Sequence, residues 1–303
     1  MNSSALPLWR PRSLAIACVI AFLLAIGAAV LPTDAYAADK PLPAPTHVKA
    51  KATKKCTVKI SWKRVPDADG YMIYRSIHKS KGYKSLGALP AAGLPTEGSI
   101  SVTDPSTAAG QTYYYKVSAY RANNADPSID NGRSSKPARA KASSTFKNSY
   151  VKFTIPKLWR GKVYVFEDPG NRNFKSLEIR ENKTGEPLAT FYWHNSKTHF
   201  DGGDPCGFPV NRWKRGKGWV ELWITSWPQV LYHAKYLMSG SSVVIGSTGD
   251  KLSKSETNRL IKLQTGGKYT YGKIKRVKGD KYKSSKYSYD AYIKKNLKVK
   301  IVK

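Results

Sequence analysis

Between residues 194 and 206 the chain gathers His194, His199, Asp201, Asp204 and Cys206. Imidazole, carboxylate and thiol groups so close together could hold a zinc ion. They could also support hydrolysis, with Asp201 or Asp204 as the base and His199 as its partner. The spacing matches none of the established zinc patterns, and Gly202-Gly203 with Pro205 reads as a flexible loop between two strands. No nucleophile motif accompanies it: Gly-x-Ser-x-Gly and His-Glu-x-x-His are missing, and no Ser-x-x-Lys stands in a suitable context. The loop is the first reading, a hydrolase using it with or without zinc is the alternative, and no cofactor is implied.

A second cluster is aromatic and basic: Trp213-Lys214-Arg215-Gly216-Lys217-Gly218-Trp219, followed by Trp223 and Trp227. Exposed indoles can stack on sugar rings while lysine and arginine hold acids or hydroxyls. Trp219 and Trp223 lie four apart, hence on one strand face, and are expected in a core. Trp213 and Trp227 fall at expected strand ends; with Lys214, Arg215 and Lys217 they form the candidate ligand-binding set. The third cluster is the stretch 268–303, where twelve lysines and one arginine face only Asp280 and Asp290. Tyr269, Tyr271, Tyr282, Tyr287, Tyr289 and Tyr292 are interspersed. Here Lys281, Lys283, Lys286, Lys294 and Lys295 are the candidate contacts for a polyanion. A solvated tail is the alternative. A terminal strand over 297–302, alternating Leu297, Val299 and Ile301 with lysines, would give the stretch order.

The formal charge of +32 would suggest nucleic acid in a cytoplasmic chain. The N-terminus redirects that inference. Arg10 and Arg12 precede an apolar run from Leu14 to Val30, and Ala35-Tyr36-Ala37 offers small residues for cleavage. This pattern predicts a secretory signal over 1–37 and a mature chain from Ala38. Losing Arg10, Arg12 and Asp34 leaves a charge of +31. An uncleaved apolar run is the alternative, and it would be the chain's membrane contact. An exported protein of this charge meets anionic polymers of the envelope, matrix or host surface first, acidic glycans among them; extracellular nucleic acid would use the same charges. Cys18 lies in the signal and makes a poor lipobox. Cys56 and Cys206 are read as two buried thiols rather than the disulfide that the compartment permits.

The elements that must position these groups are short strands. Over residues 42–143, Cys56, Val58, Ile60 and Trp62 alternate with Thr57, Lys59 and Ser61. A turn at Pro66–Gly70, a strand Tyr71–Arg75 and a later strand carrying Tyr113, Tyr115, Val117 and Ala119 on one face predict a sandwich. Val58-Lys59-Ile60-Ser61-Trp62, Gly70-Tyr71-Met72-Ile73-Tyr74-Arg75 and the run Gly110 to Tyr120 resemble the fibronectin type III family. The resemblance implies Trp62 as core tryptophan, and Tyr113 as the corner tyrosine whose hydroxyl bonds nearby backbone. It also implies a spacer or binding scaffold without catalytic residues. No Arg-Gly-Asp is present.

After a Lys/Ser/Ala-rich linker, Ser134 to Lys147, a second domain is expected over 147–267. Its strands fall near 151–155, 162–167, 176–180, 188–193 and 219–225, with a short one at 242–247 and a hairpin turn at Lys183–Glu186. Asn182-Lys183-Thr184 marks a surface turn. A helix over 254–263 begins with a capping box, Ser253 and Glu256, and ends at Gly266-Gly267. The opening Val151 to Lys162 resembles a domain of uncharacterised secreted bacterial proteins, which implies no activity. The fold class expected is mainly β: a fibronectin type III-like sandwich, then an α+β domain with a predominantly antiparallel sheet and a late helix, then a basic tail over 268–303.

Overall fold

Val58, Ile60 and Trp62 are fully buried while Lys59 and Lys63 stay exposed, and this alternation makes strand β2 (Val58–Lys63). The computed structural model describes residues 41–123, 126–168, 170, 174–195, 208–224, 244–245, 251–267 and 289–302. The expected signal segment, His199, Asp201, Asp204, Cys206, Trp227, Lys281, Lys283 and Lys286 lie outside them. β2 pairs with β1 (Lys49–Ala52) and β5 (Ser99–Asp104) in an antiparallel sheet. The facing antiparallel sheet runs β4 (Lys84–Pro90), β3 (Gly70–Ser76), β6 (Thr112–Asn123), β7 (Asp126–Asn131), with β8 (Ala138–Lys141) pairing the first half of β6. Between the sheets Trp62 and Tyr71 meet at 5.2 Å, beside Tyr115, Val117 and Ala119. Two tyrosine hydroxyls tie backbone to this core: Tyr71 accepts from the Val65 N–H at 2.9 Å, and Tyr113 accepts from the Ala108 N–H at 2.8 Å. The second bond is the one the family resemblance implied for Tyr113.

The second body is built on an antiparallel five-stranded sheet in the order β11 (Val163–Asp168), β12 (Phe174–Glu181), β13 (Pro187–His194), β15 (Gly218–Ile224), β14 (Phe208–Arg215). A three-stranded sheet packs on it, with β10 (Val151–Thr154) between β9 (Thr145–Lys147) and β18 (Lys298–Ile301). Phe153 is stacked between Phe146 and Phe191, at 5.0 Å from each, and so joins the two sheets. A two-residue ladder, β16 (Val244–Ile245) with β17 (Lys251–Leu252), precedes helix α1 (Lys254–Gln264). The capping box forms as the sequence predicts, with Ser253 Oγ accepting from the Glu256 N–H. At the other end the Gly266 N–H reaches the Leu263 carbonyl and the Gly267 N–H the Lys262 carbonyl, which closes the helix with a left-handed glycine. A Cβ on Gly266 would come within 2.2 Å of the Tyr292 ring, so this glycine also admits helix α2 (Tyr289–Asn296). Among the described residues no helix is long and apolar enough to cross a membrane.

Three expectations change. The linker is folded: β8 and β9 lie within it, and Ala140 and Ala142 are buried. The described end of the basic stretch, 289–302, enters the second body, with Ile293 and Leu297 buried in its core and β18 paired along the whole of β10. The stretch Phe208–Arg215, where no strand is expected, is a strand whose hairpin to β15 turns at Gly216-Lys217, Gly216 having φ 58°.

The sandwich and the second body are also continuous. Ala109 donates to the Val163 carbonyl at 2.7 Å and accepts from Gly161 at 2.8 Å, while the Lys147 N–H bonds the Lys54 carbonyl at 2.7 Å. Lys55 pairs with Glu167 at 2.6 Å. Cys56, which the alternation placed with the sandwich, has φ 62° and turns its thiol into the second core beside Ala109. Burial pushes this thiol up to about 12. Cys56 should therefore stay unlabelled by iodoacetamide in native protein at pH 8 and become labelled in denaturant, as read by mass spectrometry of its peptide. Rapid native labelling would contradict this packing.

Candidate ligand face of the five-stranded sheet

Along β15 the side chains alternate, and Val220 and Leu222 enter the core with Trp193 and Phe191 of β13. Trp219, Glu221 and Trp223 therefore lie on the opposite face. Sequence spacing correctly puts the two tryptophans on one face, yet it is not the core face: both are half-buried. Register sets His194 and Lys214 beside Trp219, Tyr192 and Arg212 beside Glu221, and Thr190 beside Trp223.

Glu221, 1 % exposed, organises this face. Its carboxylate pairs with Arg212 Nε at 3.0 Å and stands 3.4 Å from His194 Nε2, and it accepts from Trp223 Nε1 at 3.0 Å. Burial of a carboxylate is tolerated when charge and hydrogen bonds surround it in this way. The Arg212 guanidinium lies 3.8 Å from the centre of the Trp219 ring and Lys214 Nζ 5.7 Å from it. Beyond Glu221, Tyr192 stacks on Phe174 at 5.6 Å and meets Trp223 edge-on at 6.1 Å. The result is a row of aromatic rings, Phe174, Tyr192, Trp223 and Trp219, with Arg212 and Lys214 at the Trp219 end.

The predicted residues divide. Lys214 and Lys217 are exposed, the latter at the hairpin tip. Trp213 shares the core side with Val220 and packs half-buried against the core, rather than standing exposed at a strand end. Arg215 holds the fold together: its Nε donates to the Val302 carbonyl and its Nη2 to the Ser149 carbonyl, both at 2.8 Å, which pins the C-terminal strand. Lys294 and Lys295 are exposed in the last turn of α2. Of the proposed metal set only His194 is described, and it faces Glu221 from a buried position. Among the described residues no three His, Cys, Asp or Glu side chains stand close enough to hold a metal ion. Arg212, Glu221 and Tyr192 were missed. Their signal is period-two spacing (212 with 214; 219, 221 and 223), and only the pairing of β13, β15 and β14 brings those rows together.

The charges are partitioned across the fold. Asp104 holds Arg75 at 2.8 Å, Glu181 holds Arg259 at 3.1 Å, Glu178 holds Arg180, and Glu221 holds Arg212. Arginine's planar fork suits such pairs, whereas lysine remains a hydrated point charge. Of the lysines, Lys55 makes an ion pair with Glu167, and most of the described others are exposed.

No protein-family model matches the chain, and no curated protein does. Solved structures similar to it include a Fn3-like protein from Clostridium thermocellum, 25% identical over 33% of this chain and 92% of that one, with a TM-score of 0.26. The FN1–FN3 domains of chicken CNTN1 are 15% identical, with a TM-score of 0.27 over 53% of this chain and 49% of theirs. Both likenesses are with fibronectin type III-like domains.

Proposed function

We propose that the chain is an exported binding protein, secreted or envelope-associated, that contacts anionic surface polymers through the basic second body. The sandwich serves as its scaffold. The observation carrying this reading is the charge partition: among the described residues the buried and half-buried carboxylates are matched mainly to arginines, and most of the lysines are exposed. Such attraction is multivalent, long-ranged and sensitive to screening. Arg212, Lys214 and the Trp219 ring add a place where a sugar ring could stack beside its acid group.

The test is sedimentation of the chain from Ala38 with purified cell walls, before and after removal of their anionic polymers, over a salt series. Binding should vanish with the polymers and weaken on the order of 100-fold between 50 mM and 200 mM salt. Binding indifferent to both would overturn the reading. Deleting 268–303 is unsuitable as a control, because β18 and Leu297 belong to the fold.

A further inference from the structure

The outer face of the small sheet carries an arrangement that stability alone disfavours. Register places Lys147 of β9 opposite Lys152 of β10, and Lys152 opposite Lys300 of β18. All three are exposed, while their neighbours Phe146, Phe153 and Val299 point into the core. Adjacent strands lie about 4.8 Å apart, so three ammonium groups share one row across the sheet. Like charges directly opposite one another destabilise a sheet. Among the described residues no carboxylate pairs with any of the three. The next row continues the polar strip with Thr145, Thr154 and Lys298. Lys54, whose carbonyl accepts the Lys147 N–H, brings a further exposed lysine to one side.

We infer that this lysine row is a binding strip for a linear acidic glycan, whose closely spaced carboxylates lie along Lys147, Lys152 and Lys300. The inference rests on the polymer-binding reading above and gives it a location outside the tryptophan face. Charge complementarity selects a polyanion. Among the described residues the strip bears no aromatic side chain on which a base could stack, and this favours a base-free polymer over single-stranded nucleic acid. The row's own repulsion is relieved when the polymer's anions lie between the cations.

The experiment compares the chain from Ala38 with two charge-matched triple variants: Lys147→Gln/Lys152→Gln/Lys300→Gln in the row, and Lys79→Gln/Lys81→Gln/Lys84→Gln in the β3–β4 hairpin. Immobilised polygalacturonate at low salt is the probe; inorganic polyphosphate and duplex DNA are parallel arms. The row variant should bind polygalacturonate about 10- to 100-fold more weakly than the parent. The hairpin variant should bind nearly as the parent does. The row variant should also melt at a higher temperature than the parent, because three opposed charges are gone. Equal losses in both variants would overturn the strip while leaving general polymer binding intact. Failure of the parent itself to bind would remove both. Row-dependent binding stronger for polyphosphate would make phosphate the preferred anion and overturn the glycan assignment, as would row-dependent preference for DNA. A row variant that melts lower would assign the lysines a structural role instead.

Discussion

Trp159→Ala should destabilise the second body by about 3–5 kcal/mol, the range for removing a fully buried large aromatic. Trp159 sits at the end of a single 3-10 turn, Lys157–Trp159, is 0% exposed, and packs against Tyr292 of α2 at 6.2 Å. Its Nε1 donates to the Leu263 carbonyl at 2.8 Å, across 104 residues of sequence. The substitution therefore opens a cavity and also strips a partner from the last turn of α1. The neighbouring Gly161, with φ 75°, donates to Ala109 of the sandwich, so the disturbance reaches the junction. Thermal or denaturant unfolding followed by tryptophan fluorescence and circular dichroism measures the effect. Trp159→Phe should recover most of the packing but not the hydrogen bond. A loss under 1 kcal/mol for Trp159→Ala would contradict the assignment of this residue to the core.

Glu181→Gln should cost about 1–3 kcal/mol, as expected when a charged acceptor of several hydrogen bonds is replaced by a neutral one. Glu181 is 1 % exposed at the end of β12, and its carboxylate accepts from the N–H groups of Lys183 and Thr184, from the Thr184 hydroxyl, and from both arms of Arg259 on α1. One group thus closes the β12–β13 hairpin and fastens the helix to it. Burial by itself raises the carboxyl pKa, but the Arg259 and Thr184 contacts outweigh it and hold the group below its ordinary 4.5. The folded state then binds fewer protons than the unfolded state over that interval. The contribution is complete above about pH 4.5 and is lost as pH falls through the depressed value. Stability of the parent should fall on acidification there, and Glu181→Gln should remove this part of the acid limb. Parallel pH–stability curves for parent and variant through that window would refute the role.

Local sequence determined what depends on nearest neighbours. Period-two alternation located β2, β11, β12, β13 and β15 to within about two residues, and the first two thirds of β6. Ser253, Glu256, Gly266 and Gly267 determined both ends of α1, because caps are made by residues three or four positions away. The motifs around Trp62, Tyr71 and Tyr113 also pointed to the sandwich in which those rings are buried.

Tertiary structure decided which face and which core. Alternation says that Trp219 and Trp223 share a side, but only pairing with β13 and β14 shows that Val220 and Leu222 take the core side. Cys56 keeps the rhythm of β2, yet a left-handed backbone sends it into a core built, apart from Ala109, of residues ninety or more positions away. Lys147, Lys152 and Lys300 look like scattered solvated charges in sequence; long-range register alone puts them in one row. Periodicity along a strand is fixed by backbone geometry, whereas the partner that strand meets is chosen by the burial of distant apolar surface.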